Sequence, residues 1–342
     1  MKKAYLLGTC LLIGMTSSSF GSSELRNFEN SLNKIKFIDE FLDSEPHGSA
    51  GVIWHPWEDA FKKAEIKYDK KNIKFIVLHY TASPTRKSIP DVFRESGTSS
   101  HFLVDSDGTC VNYVDPYKGI AYHAGTSFFA GYSRLNYWSI GIEHTGLGYT
   151  STLQYDEDGK PLPGRVIPGS NNYWYEFPEV QFQTSCELTR ALQEKFKIPG
   201  YRVVAHADIA PEKQSDIGPM WNYKRAYDEY NVGYFPSETH QINMENFKKF
   251  TDDDYLSFIG CFGYDTAMAH KSNNMKVAVT RAYQYHYSQS NISGDLVDGT
   301  KQDILKHVVA LVPNCKYEYF LQKLKSWVKW NPTKAQAFWE YF

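Results

Sequence analysis

Ile73-Lys74-Phe75-Ile76-Val77-Leu78-His79-Tyr80 is a nearly continuous apolar run with β-branched residues. Apolar on both faces, it predicts a strand in the middle of a sheet that is covered on both sides. Outward from it, residues 100–104, 109–114, 139–144 and 202–206 read as further short strands. Residues 178–196 predict a helix, with proline at its start and Val180, Leu188, Leu192 and Phe196 toward one face. A shorter helix is expected over 221–230, ending near Gly233. Strands mixed with helices give an α/β class, with a central mixed β-sheet flanked by helices over 52–236.

The flanks have other textures. Leu25, Phe28, Leu32 and Ile35 recur at three- and four-residue steps, which predicts an amphipathic helix over 24–43. Residues 45–51 are rich in breakers and read as a linker, so 22–51 is a helical extension. Residues 149–176 hold three prolines and several glycines and read as a long loop that borders the active site. After Asn243 the pattern turns helical. Thr251-Asp252-Asp253-Asp254 is a capping box ahead of Tyr255-Leu256-Ser257-Phe258-Ile259, and two more helices are expected over 275–287 and 301–311. These make a small all-α three-helix module within 244–325, followed by an aromatic tail over 326–342 with Trp327, Trp330 and Trp339.

The chain has 342 residues, 42% apolar and 22% charged, with a formal charge of −2. That is globular composition. It excludes intrinsic disorder and a collagen-like repeat, and the near-neutral charge gives no nucleic-acid-binding surface. The aromatic share of 16%, with 25 tyrosines, fits sugar stacking or large packed surfaces and identifies neither. Lys2 and Lys3, the apolar run from Ala4 to Met15, and the small residues around Ser19 and Gly21 have the order of a signal peptide over 1–21. The run is too short to span a bilayer, which needs ~20 residues. Export to the periplasm is therefore expected. Cys10 raises a lipoprotein alternative, but it lies inside the apolar run rather than at its end, so a soluble form is favoured. Cys110, Cys186, Cys261 and Cys315 include no Cys-x-x-Cys pair, and their pairing is not legible.

His79 ends the central strand, His206 ends Val203-Val204-Ala205, and Asp216 follows ten residues after His206. Two imidazoles and a carboxylate leave a fourth zinc position open, as catalytic sites do. By spacing alone, three unrelated polar residues at strand ends explain them better. The neighbouring residues decide the matter. Val77-Leu78-His79-Tyr80-Thr81-Ala82, Ser99-Ser100-His101-Phe102-Leu103-Val104, Tyr122-His123-Ala124-Gly125, Leu135-Asn136, Ser139-Ile140-Gly141-Ile142-Glu143, His206-Ala207-Asp208-Ile209-Ala210-Pro211 and Asp216-x-Gly218-Pro219 occur in that order. Together they resemble the zinc N-acetylmuramoyl-L-alanine amidases of the type-2 amidase and peptidoglycan recognition protein superfamily, the exported Gram-negative branch above all. The likeness covers about 73–236. The helical module more weakly resembles a peptidoglycan-binding domain through Ala282-Tyr283-Gln284-x-His286 and Gly294-Asp295-Leu296-Val297-Asp298-Gly299-Thr300.

The resemblance implies zinc as cofactor, with His79, His206 and Asp216 as ligands and Glu143 as the catalytic carboxylate. It implies peptidoglycan or muropeptides as substrate, cut between the lactyl group of N-acetylmuramic acid and L-alanine. The family places an oxyanion-stabilising lysine two residues before the aspartate ligand. Here that position is Gln214, with Lys213 one residue earlier, so either Lys213 reaches the site or Gln214 donates a neutral hydrogen bond. His123 and Asn136 lie in family motifs and either bind substrate or fix loops. His101 reads as structural. Asp208 either orients His206 or serves as a turn cap, and His144 faces away from Glu143. A non-catalytic recognition protein on the same fold is the alternative. Such proteins usually lose a ligand, and none is lost here.

Overall fold

The computed structural model describes residues 37–39, 72–117, 119–236 and 250–311. The signal sequence, most of the extension and linker, and the aromatic tail lie outside the described residues. The strands are β1 (Phe37–Asp39), β2 (Phe75–Leu78), β3 (Phe102–Val104), β4 (Cys110–Asn112), β5 (Phe128–Phe129), β6 (Tyr132–Ser133), β7 (Ser139–His144), β8 (Tyr149–Thr150), β9 (Gly164–Val166), β10 (Tyr173–Tyr175) and β11 (Val203–Ala205). The helices are α1 (Ile89–Ser96), α2 (Glu179–Phe196), α3 (His206–Ile209), α4 (Tyr223–Tyr230), α5 (Asp252–Cys261), α6 (Asn273–Tyr287) and α7 (Asp298–Leu311).

The main sheet has the order β1-β4-β3-β7-β2-β11. It is mixed: only the β3–β4 pair is antiparallel. All four residues of β2 are buried, as its unbroken apolar run requires. Phe37–Asp39 forms a strand, not a continuation of the helix expected over 24–43. Its backbone pairs with β4, whose free edge would otherwise leave ladder groups unpaired. Helical spacing upstream carries no information about that edge.

Strand direction builds the site. β7, β2 and β11 are neighbours and parallel, and Leu78 pairs with both Ile142 and Ala205. The next residues on the three strands are Glu143, His79 and His206. Parallel strands bring residues far apart in sequence to one carboxyl-end edge, where open α/β sheets place ligands.

Residues 149–176, expected as a loop, contain a three-stranded antiparallel sheet of order β8-β10-β9. Strands of two or three residues are too short to show alternation. Trp174 anchors this sheet, 2% exposed, against Tyr149 and Tyr285.

The three expected helices are α5, α6 and α7. Thr251 caps α5 through the expected box with Asp254. The helices share one continuous core with the sheet. Ala130 donates to the Gly263 carbonyl, Ile292 to the Pro168 carbonyl, and Gln289 Nε2 to the Trp221 carbonyl. Among the described residues, Cys110, Cys186 and Cys261 are buried free thiols, and no helix is long and apolar enough to cross a membrane.

Candidate metal centre and active site

His79 Nδ1, His206 Nδ1 and Asp216 Oδ2 form a nearly equilateral triangle with sides of 3.0, 2.9 and 3.0 Å. All three residues are buried. Burial, then the neighbouring His206, holds His79 down to about 4, so its imidazole is neutral. Burial pushes the Asp216 carboxyl up, but His206 and His79 outweigh it and hold the group well below the carboxylate range. Protons satisfy one or two edges of such a triangle, whereas a cation at its centre satisfies all three donors. Tetrahedral donors ~2.0–2.1 Å from zinc lie about 3.3 Å apart, close to the sides observed. The two imidazoles and the carboxylate therefore fit a metal ion.

A second layer orients His79. Its Nε2 lies 2.9 Å from His123 Nδ1, and His123 Nε2 lies 3.1 Å from Ser139 Oγ. Ser139 donates onward to the Leu135 carbonyl at 2.6 Å. With Nδ1 of His79 turned to the metal position, the proton sits on Nε2 and the chain runs one way: His79 to His123 to Ser139 to Leu135. Asn136 Oδ1 accepts the backbone N–H groups of His123 and Ala124. Both ring nitrogens of His123 are thus engaged inside the protein, and the carbonyl of Asn136 is spent on the loop. Both positions therefore hold the loop and the His79 ring in place. His101 accepts the Gly141 N–H, a structural contact.

Gly141 makes the arrangement possible. A Cβ there would lie 2.5 Å from the His123 ring. A glycine inside a strand marks close approach, and this one could have flagged the His123 layer from sequence. Gly141→Ala is expected to push His123 away and lower metal affinity about 10–100-fold, the usual scale for outer-shell changes. Chelator competition on the folded variant measures it.

Glu143 lies beside His79 in the sheet register, and its Oε2 is inaccessible to solvent with no hydrogen-bond partner among the described residues. Burial, then the charge of Asp216, raises its carboxyl well above the usual range. His144 faces the other way: its Nδ1 donates to the His79 carbonyl at 2.6 Å and its Nε2 accepts from Ser185 Oγ. Tyr80, missed in the sequence, packs against Gly148, where any Cβ would strike its ring, and its hydroxyl bonds Ser215 Oγ at 2.8 Å. It ties the segment before Asp216 to the central strand. Lys213 and Gln214 sit in that segment, exposed, and line a cleft. Asp208 does not bond His206. It caps Ala205 N–H and bonds His286 and Tyr264 of the helical segment.

A family model described as N-acetylmuramoyl-L-alanine amidase matches residues 69–219. Residues 69–219 form an N-acetylmuramoyl-L-alanine amidase domain. The chain is 26% identical over 248 residues to the N-acetylmuramoyl-L-alanine amidase AmiD of Escherichia coli, covering 69% of this chain and 82% of that protein. It is 33% identical over 127 residues to the 1,6-anhydro-N-acetylmuramyl-L-alanine amidase AmpD of the same organism, covering 37% of this chain and 55% of that one. In fold it resembles E. coli AmiD in complex with anhydro-N-acetylmuramic acid-L-Ala-D-gamma-Glu-L-Lys, with a TM-score of 0.58 at 24% identity over 74% of this chain and 94% of that one. AmpDh3 of Pseudomonas aeruginosa in complex with anhydromuramic pentapeptide gives a TM-score of 0.54 at 25% identity, covering 67% and 88%. Both structural likenesses cover a larger share of the chain than the residues that the family model matches.

Proposed function

We propose that this chain is an exported zinc amidase that cleaves the bond between the lactyl group of N-acetylmuramic acid and L-alanine in peptidoglycan or its fragments. The observation that carries this reading is the convergence of His79, His206 and Asp216 beside Glu143, whose Oε2 has no partner among the described residues. His79, His206 and Asp216 would hold the zinc. When bound, zinc supplies Lewis acidity toward an amide carbonyl and toward water. Glu143 takes a proton from the attacking water and returns it to the leaving amine, which its raised proton affinity suits. His123 and Ser139 keep the His79 ring fixed. Lys213 or Gln214 supplies the donor to the developing oxyanion. The basic, apolar, small order of residues 1–21 supports export to the periplasm. A binding-only recognition role would leave the three-donor set and Glu143 without use.

The test is digestion of purified muropeptides with and without chelator, with products identified by mass spectrometry. Free peptide beginning with L-alanine is expected, lost on chelation and restored by zinc. Intact lactyl–alanine bonds in the presence of zinc would overturn the reading.

A further inference from the structure

A cleft of about 570 Å³ is lined on one side by the segment that leads into Asp216. Three segments form it. Tyr149 and Trp174 come from the small sheet and Asn171 from the turn before β10. Lys213 to Ser215 come from the segment ending at Asp216, and Asn274, Ala278 and Arg281 from α6. The cleft is thus shared between the amidase domain and the helical segment.

Its charge is asymmetric. Among the described residues, Lys213 and Arg281 are its two cations, and Glu212 is its one acid, exposed to solvent. The guanidinium of Arg281 is pinned: Nε donates to the Ile292 carbonyl at 3.3 Å and Nη2 to the Ser293 carbonyl at 2.8 Å. Nη1 has no partner among the described residues. A held guanidinium loses little freedom on meeting a carboxylate, so its charge acts as a prepared contact. Lys213 makes no side-chain hydrogen bond or ion pair among the described residues.

On the function proposed above, the substrate has two sides. The muramyl side of the scissile bond is neutral, because its lactyl carboxyl is tied up in the amide. A peptide continuing through γ-linked glutamate keeps a free α-carboxylate. We propose that the cleft binds such an acidic stem peptide, with Arg281 of α6 receiving a carboxylate and Lys213 adding charge from the facing wall. Arg281 is then a specificity residue supplied by the helical segment to a reaction carried out by the amidase domain.

The test compares N-acetylmuramoyl-L-alanine amide, which has no carboxylate, with N-acetylmuramoyl-L-alanyl-D-γ-glutamate. The wild-type chain is expected to prefer the acidic substrate. Arg281→Gln is expected to reduce the acidic-to-neutral ratio of kcat/KM at least tenfold, mainly through KM, as loss of a hydrogen bond to a charged group does. Ala278→Trp, which fills the cleft one turn before Arg281, is expected to raise KM for the acidic substrate by a similar factor. Thermal melts establish that both variants fold. An unchanged ratio, or equal losses on both substrates, overturns the carboxylate assignment while leaving the amidase reading intact. Cleavage of neither substrate by the zinc-loaded wild-type chain defeats the amidase reading itself.

Discussion

Glu143→Gln is expected to lower turnover of a muropeptide by 100- to 10,000-fold while leaving metal content and melting temperature close to wild type. The replacement keeps the size of the side chain and one carbonyl oxygen but removes the proton acceptor. A positioned acid or base contributes ~100–10,000-fold. Two features make this position more demanding than an ordinary exposed glutamate. Oε2 is shut away from solvent without a partner, and burial together with Asp216 raises the affinity of the carboxyl for a proton. A buried acceptor without a donor is costly unless something uses it, and on the proposed function the attacking water would be that user. Turnover of the variant within tenfold of wild type would remove Glu143 from proton transfer. A parallel loss of metal would mean that the residue maintains the centre instead. Steady-state kinetics, with metal analysis on the same sample, separate these outcomes.

The central strand was legible because β2 is buried on both faces, and burial of that kind writes a continuous apolar run. The helical segment was legible because the capping box at Thr251 is a local signal. The metal set was different. His79 and His206 are 127 residues apart, and nothing local joins them. What joins them is the register of two parallel strands, β2 and β11, visible in sequence only through the family motifs. Gly141 stood in those motifs without its reason, which is the His123 ring against its Cα. The small sheet within 149–176 was illegible because its strands are too short to alternate, although Tyr173-Trp174-Tyr175 carried the aromatic bias of β structure. Asp208 was left between two roles. Its outer partners lie 56 and 78 residues later, in a segment that reads as a separate module.

That separation shapes the second large effect. His286→Ala is expected to destabilise the whole chain, not the helical segment alone, and to weaken metal binding. Asp208 is 1% exposed and accepts three hydrogen bonds: from Ala205 N–H at 2.7 Å, from Tyr264 Oη at 2.6 Å and from His286 Nδ1 at 2.7 Å. The His286 ring is itself sandwiched between Tyr223 at 3.8 Å and Tyr287 at 3.9 Å. Removing the imidazole leaves a buried carboxylate short of a partner and opens a gap between two aromatic rings. Breaking a buried pair from one side costs ~3–5 kcal/mol. At ~2–4 °C per kcal/mol for a chain of this size, the melting temperature should fall by on the order of 10 °C. The effect reaches the candidate metal ligands because Asp208 lies in α3, whose first residue is His206. A double-mutant cycle with Asp208→Asn isolates the pair: the second substitution should cost much less once the first is made. Additive losses, or a melting point within 2 °C of wild type with unchanged chelator competition, would show that the helices merely rest against the amidase domain. On the geometry present, cutting the chain before residue 250 removes the donors that hold the His206 turn in place, so an isolated amidase domain should be metal-poor as well as less stable.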